Sequence, residues 1–238
     1  MIGEQIGSYR VLDLLGSGGC GDVYRAEHEL IGRQAAIKLL RQEGAGDAEM
    51  VGRFFAEART VNDVRHPNIV EITDCGYHEQ CPYLVMELLE GDPLDRCLEQ
   101  EGTLDLDMTV HVGTQVASAL DAAHRHGIVH RDIKPANIFV TQHPALPYFV
   151  KVLDFGVAKL VDFGRANQMR TATGTVIGTP YYMSPEVCMA RKDIDGRSDV
   201  YSLAVVLWEL LVGHPPFEGA GMGALMMAHI NAPIPAAR

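Results

Sequence analysis

The hydrophobic pattern changes its period near Gly91, and this change constrains the fold more than any other feature of the chain. Before it, YRVLDLLG, DVYRAEH and QAAIKLL, all within 9–40, are separated by glycines and polar turns and read as strands. A helix is expected over 47–65, where Phe54, Phe55, Ala58 and Val61 recur at helical spacing. HPN (66–68) marks a turn, and IVEIT (69–73) and PYLVMEL (82–88) read as two more strands. Beyond Gly91 a helix over 104–126 would place Leu106, Val110, Gly113, Ala117, Leu120 and His124 on one face, with Thr103 set to cap its start and Gly127 to end it. NIFV (137–140) and FVKVLDFG (149–156) read as a hairpin joined by QHPALPY, and helices follow around 184–190, 198–213 and 221–231. A strand-rich part followed by a helix-rich part implies an α+β fold of two lobes, with the boundary near 88–92.

The formal charge of −11 argues against nonspecific binding to nucleic acid or to anionic membranes. The five cysteines, Cys20, Cys75, Cys81, Cys97 and Cys188, are scattered without a C-x-x-C pair, which suits a reduced, cytoplasmic compartment. Glu4 and Arg10 interrupt the N-terminal apolar residues, so no secretory leader is expected. The apolar stretch LAVVLWELLVG (203–213) is too short to span a bilayer and carries Glu209, so it reads as a buried helix.

GSGGCG (16–21) fits G-x-G-x-x-G, but it leads into a strand-like segment, where a dinucleotide-binding loop would open a helix. No acidic residue stands at the expected strand end, and no G-K-[ST] follows. A glycine loop between strands can instead offer its backbone N–H groups to phosphates. Lys38, in AAIK, is either an edge-strand lysine reaching solvent or a buried cation paired with Glu57 of the following helix. Pro135 breaks any regular helix through HRDIKPAN (130–137), so Asp132, Lys134 and Asn137 are presented from a loop. Asn137, with Asp154 of LDFG, supplies oxygens suited to Mg²⁺; turn formation and loop capping would explain the same residues. His124, His126 and His130 lack the spacing or cysteine partners of a zinc site.

Taken in order, the glycine loop with its following Val, the A-I-K strand, the helix Glu, H-R-D with Asn, D-F-G and a closing Pro-Glu resemble the catalytic domain of eukaryotic-like serine/threonine protein kinases, in their bacterial branch, from about Tyr9 to Phe217. The resemblance implies a two-lobed protein-kinase-like fold, with an N-lobe over 1–89 and a C-lobe over 90–238 that lacks its last helices. It implies ATP and Mg²⁺ as cofactors, Ser/Thr-bearing proteins as substrates, no nucleic-acid partner, and leaves a homodimer open. Gly16, Gly18 and Gly21 would cover the phosphates, and Lys38 would hold the α- and β-phosphates while pairing with Glu57. Asn137 and Asp154 would hold the metal, Asp132 would accept the substrate proton, and Lys134 would steady the γ-phosphate. Leu15, Val23 and Ala36 would roof the adenine and Phe139 would floor it; Met86 would lie behind it, and the backbone of Glu87 and Leu89 would bond the base.

Lys134 and GTPYYMSPE favour Ser/Thr over Tyr as acceptor, with Thr179 lining the acceptor pocket. A phosphate on Thr171, Thr173 or Thr175 would pair with Arg131 and order the segment. Val61, Ile72, His130 and Phe155 would form a packed column, and Asp199 would anchor the base of the loop. Three departures stand out. Cys20 replaces a bulky aromatic at the tip of the glycine loop, and Ser184 precedes Pro185-Glu186 where Ala is common. The chain stops before the arginine that pairs with the family's equivalent of Glu186, so an apolar face around 104–126 and 198–213 is expected to be exposed. A nucleotide-binding scaffold without transfer activity is the alternative reading, and a membrane anchor would belong to a longer parent chain.

Overall fold

A computed structural model describes residues 1–18, 21–143, 146–155 and 180–236; within these, the side chains of residues 43, 53, 57, 60, 142, 143 and 147 are not described. The chain divides into two compact units. One comprises Met1–Arg65 and Val70–Glu90, the other His66–Ile69 and Gly91–Arg238.

The first unit is built on strands β1 (Gln5–Ile6), β2 (Tyr9–Ser17), β3 (Gly21–His28), β4 (Gln34–Leu40), β5 (Ile72–His78) and β6 (Cys81–Glu87). They form one antiparallel sheet in the order β1-β2-β3-β4-β6-β5. Between β4 and β5 lie the short helix α1 (Gln42–Ala45) and helix α2 (Ala48–Val64). Asp47 caps α2 by accepting the N–H groups of Glu49 and Met50 at 2.9 and 3.3 Å. The two-residue strand β1 is too short to carry a periodic signal, and β5 starts at Ile72, three residues later than its apolar run suggests. Ile6, Val11, Tyr24, Ala26, Ala35, Ile37, Tyr83 and Val85 form a buried cluster on one face of the sheet. Each fully buried aliphatic side chain in it contributes about 1.5–3 kcal/mol.

The second unit holds β7 (Gly91–Pro93), α3 (Leu94–Glu101), α4 (Leu106–Arg125), a 3₁₀ turn at Pro135–Asn137, β8 (Ile138–His143) and β9 (Leu146–Val152). After residue 179 come a second 3₁₀ turn, Pro180–Tyr182, and helices α5 (Pro185–Cys188), α6 (Arg197–Val212) and α7 (Met222–Asn231). Strands β7, β8 and β9 make a small antiparallel sheet. The hairpin is tighter than expected, because pairing continues to His143–Leu146 and takes most of QHPALPY into the strands.

Helix α4 packs on β9 and α6. Gly113 permits the close approach, since a Cβ there would lie 3.1 Å from the Leu207 side chain. The buried stripe of α4 is Met108, Val112, Gly113, Val116, Ala119, Leu120 and Ala123. Leu106, Val110 and Ala117, expected to face inward, are exposed. The helix carries apolar residues at two angular positions, and period alone cannot choose between them; packing on β9 and α6 does. Its cap also differs: Asp105, not Thr103, accepts the Met108 N–H at 2.8 Å. Val200 and Leu211 of α6 are exposed as well. Among the described residues no helix is long and apolar enough to cross a membrane.

Candidate active site

In the first unit the sheet register gathers several candidate side chains. Val23 pairs with Lys38, Lys38 with Leu84, and Ala36 with Met86. Directly opposed residues and residues two apart share a face, so Val23, Ala36, Lys38 and Met86 lie on the face opposite the buried cluster. Lys38 is buried and its strand is flanked by β3 and β6, which removes the edge-strand reading. A lysine there loses most of its hydration and needs compensating partners to stay charged. The side chain of Glu57, its expected partner, lies outside the described residues, although α2 does carry position 57.

Leu15 is the extra residue in a bulge between the Leu14–Tyr24 and Gly16–Val23 pairs. The Gly18 N–H donates to the Gly21 carbonyl at 2.9 Å, closing the described part of the glycine turn; Cys20 lies outside it. At the end of β6 the Glu87 N–H donates to the Glu71 carbonyl at 3.0 Å. The Glu87 N–H is therefore committed to the residue that leads into the neighbouring strand β5.

In the second unit Asp132, Lys134 and Asn137 come together. The Asn137 amide donates to the Asp132 carbonyl at 2.8 Å and to Asp132 Oδ2 at 2.7 Å. Lys134 Nζ lies 3.1 Å from the same Oδ2. Both Nδ2 protons of Asn137 are thus spent on Asp132, which leaves its Oδ1 as an acceptor. The Leu153 N–H donates to the Asn137 carbonyl at 2.9 Å, tying the loop to the residue before Asp154. Asn137 and Asp154 offer one amide oxygen and one carboxylate, a donor set that fits Mg²⁺, which binds few protein oxygens beside phosphate and water.

His130 is fully buried and sets the loop in place. Its Nδ1 accepts the Asp132 N–H at 3.2 Å, which assigns the proton to Nε2, 2.8 Å from the Leu153 carbonyl. Burial pushes its pKa down, so the ring is neutral. Its ring centroid lies 4.5 Å from that of Phe155. Asp199, on α6 and also fully buried, accepts the His130 and Arg131 N–H groups, both at 2.8 Å, and lies 2.7 Å from His124 Nε2. Arg131 and Asp154 adopt left-handed backbone conformations, with φ of 67° and 49°. Such strain in non-glycine residues persists only where surrounding bonds over-determine it. The Arg131 Nε is buried without a hydrogen-bond partner among the described residues.

Phe139 lies on β8, opposite Lys151 and Pro93. Of the expected column, Val61 and Ile72 are buried in the first unit, and His130 and Phe155 in the second. Thr171, Thr173, Thr175 and Thr179 lie outside the described residues.

Sequence reasoning missed two polar clusters. Asn68 Nδ2 donates to Gln115 Oε1 at 2.9 Å and to the Val150 carbonyl at 2.8 Å, which anchors the HPN turn in the second unit. Tyr182 donates to Glu209 Oε2 at 2.6 Å; burial raises the carboxyl pKa of Glu209, and burial together with this bond raises that of the Tyr182 phenol. The only sequence signal for that pair is a lone Glu in an apolar helix, whose partner lies 27 residues away.

The protein kinase domain family matches residues 9–234, and the chain belongs to that family. It is similar to the serine/threonine-protein kinase Pkn1 of Myxococcus xanthus, 45 % identical over 99 % of this chain and 33 % of that protein. It is also similar to the serine/threonine-protein kinase PknA of Mycobacterium tuberculosis, 41 % identical over 96 % of this chain and 52 % of that one. The chain therefore spans about half or less of the length of these relatives. The crystal structure of the Mycobacterium tuberculosis PknI kinase domain superimposes with a TM-score of 0.70 at 28 % identity, covering 92 % of this chain and 80 % of that one. The fold is α+β, with a sheet-based N-lobe and a helical C-lobe, as expected.

Proposed function

We propose that this chain transfers the γ-phosphoryl group of ATP to Ser or Thr hydroxyls of proteins, with Met1–Arg65 and Val70–Glu90 forming the N-lobe and most of the remainder the C-lobe. The observation that carries the reading is the grip of Asn137 and Lys134 on Asp132. It holds one carboxylate oxygen within hydrogen-bond reach of both groups, which positions the carboxylate as a general base.

The residues divide the work. Asp132 orients the substrate hydroxyl and accepts its proton as the oxygen bonds to the γ-phosphorus. The bond from that phosphorus to the β–γ bridging oxygen breaks, and ADP leaves with the electron pair. Lys134 neutralises charge on the γ-phosphoryl oxygens, and Lys38, paired with Glu57, holds the α- and β-phosphates. Asn137 Oδ1 and the Asp154 carboxylate would hold Mg²⁺, which supplies Lewis-acid neutralisation of phosphate charge when bound. Gly16, Gly18 and Gly21 cover the phosphates with backbone N–H groups. Leu15, Val23, Ala36, Met86 and Phe139 enclose the adenine, with the Glu87 carbonyl and the Leu89 N–H on its edge.

Thr179 lines the acceptor pocket. Phosphorylation by the chain itself on Thr171, Thr173 or Thr175 would give Arg131, whose Nε is buried, an anionic partner. The unpaired thiols of Cys75, Cys81, Cys97 and Cys188 suit action in a reducing cytoplasm.

The test is transfer from labelled ATP with Mg²⁺ to a generic Ser/Thr substrate, with Asp132→Asn and Lys38→Met as controls. Label on the substrate that disappears in both variants supports the reading. No transfer by this chain or by a C-terminally extended one would sink it in favour of a nucleotide-binding scaffold.

A further inference from the structure

Tyr181, in the turn that follows Thr179, faces Pro215, Glu218, Gly219 and Ala220 across an open cavity of about 480 Å³ within the second unit. Both walls rest on one buried histidine, His229 of α7. Phe217 is buried with its ring 5.0 Å from that of His229, and the carbonyls of Pro180 and Tyr181 lie beside the same imidazole. The imidazole is fixed in turn by the Tyr201 hydroxyl, 2.8 Å from Nδ1. Gly219 lies hard against α7, where a Cβ would come within 2.8 Å of the Leu225 nitrogen. The cavity is therefore preformed by packing, as binding sites usually are.

Its charge is one-sided. The carboxylate of Glu218 is largely exposed, and His214, at 4.0 Å, is its nearest basic group among the described residues. Among the described residues, no arginine or lysine lines the cavity. A cation entering the groove would meet an acceptor that has no strong partner of its own.

We propose that this groove takes the substrate polypeptide to one side of the acceptor residue, and that Glu218 selects an Arg or Lys side chain there. The proposal rests on the kinase reading and specifies its substrate class. A polypeptide is favoured because the groove begins two residues after Thr179 in the chain and is open to solvent, so an extended segment can run through it. Glu218 is a specificity residue; it takes no part in the phosphoryl transfer.

The experiment uses peptides with one Thr acceptor and with Arg, Ala or Glu scanned through the flanking positions. At one position the parent protein should prefer Arg over Ala by about fivefold in kcat/KM, the scale of one solvated ion pair. Glu218→Gln should bring that ratio near one, and Glu218→Lys should turn the preference toward Glu. Arg preference at no position, or one that survives in Glu218→Lys, overturns the proposal. Binding of the same peptides with Ala in place of the acceptor Thr, followed by fluorescence anisotropy, needs no transfer. If binding depends on Arg and on Glu218 while transfer is absent, the groove stands and the kinase reading falls. Transfer without Arg dependence overturns the groove alone.

Discussion

Asp199 holds Arg131 in a left-handed backbone conformation: its Oδ1 accepts the Arg131 N–H at 2.8 Å while Arg131 keeps a φ of 67°. The same carboxylate takes the His130 N–H and meets His124. One buried side chain on α6 thus fixes the backbone of the two residues that precede Asp132. Asp199→Ala should leave two buried N–H groups without acceptors and cost about 2–5 kcal/mol. Asp199→Asn keeps an acceptor oxygen and should cost less. Urea denaturation of the two variants checks the order, and equal midpoints would show that the loop is held by other means.

Asp132→Asn should lower kcat by about 10²–10⁴-fold, the usual worth of a positioned general base. Nucleotide affinity should change little, because the carboxylate acts on the hydroxyl. Steady-state kinetics and nucleotide titration separate these effects; a loss confined to KM for ATP would contradict the role given to Asp132.

Lys38→Met replaces a buried cation by an apolar side chain of similar length in a strand with neighbours on both sides. Phosphoryl transfer should fall by at least about a hundredfold, since a charge-assisted phosphate contact is lost. Thermal stability without nucleotide should hold or rise, because burying a charge is costly even when it is paired. Melting with and without Mg-ATP measures both; a sharp drop in melting temperature without nucleotide would indicate a structural role for the cation.

Asn137→Ala removes the donor to Asp132 and the Oδ1 offered to Mg²⁺. The Mg²⁺ concentration for half-maximal transfer should rise about tenfold, the lower range seen when a supporting contact at a metal site is lost. A Mg²⁺ titration at saturating ATP reads it, and an unchanged midpoint would remove Asn137 from the metal site.

Burial lowers the His130 pKa from its ordinary value of 6.5, so the native ring stays neutral while the unfolded one takes up a proton as the pH falls. In the window between the lowered native value and 6.5 the unfolded state binds more protons, so stability rises with pH. It is complete above that window and is lost as the pH falls. His66 and His229 are shifted the same way by burial and add to the slope. The urea midpoint should therefore fall between about pH 7.5 and pH 5.5. Any inflection of the His130 ring resonance should lie below 6.5; one at the ordinary value would place the ring in solvent.

Much of this molecule is readable without coordinates. The strands of the first unit show themselves because glycines and polar turns bracket β-branched and aromatic runs, and α2 because its apolar residues keep helical spacing behind Asp47. Asp132, Lys134 and Asn137 are close in sequence, and a proline forces them into one loop, so their association is local. Less local matters escaped. The buried face of α4 depended on β9 and α6, which the period of α4 does not encode. Asp105 took the cap because its carboxylate is the one placed to reach the Met108 N–H.

The sequence by itself determined the alternation of strands and helices, the local loop and the family. Tertiary structure alone decided that Asp199 would hold a loop about seventy residues away in the chain, that Tyr182 would find Glu209, and that His229 would support both walls of a groove. The physical reason is range. Backbone preference and periodicity act over a few residues, whereas a buried polar group must find whichever donor or acceptor packing brings to it, at any distance along the chain.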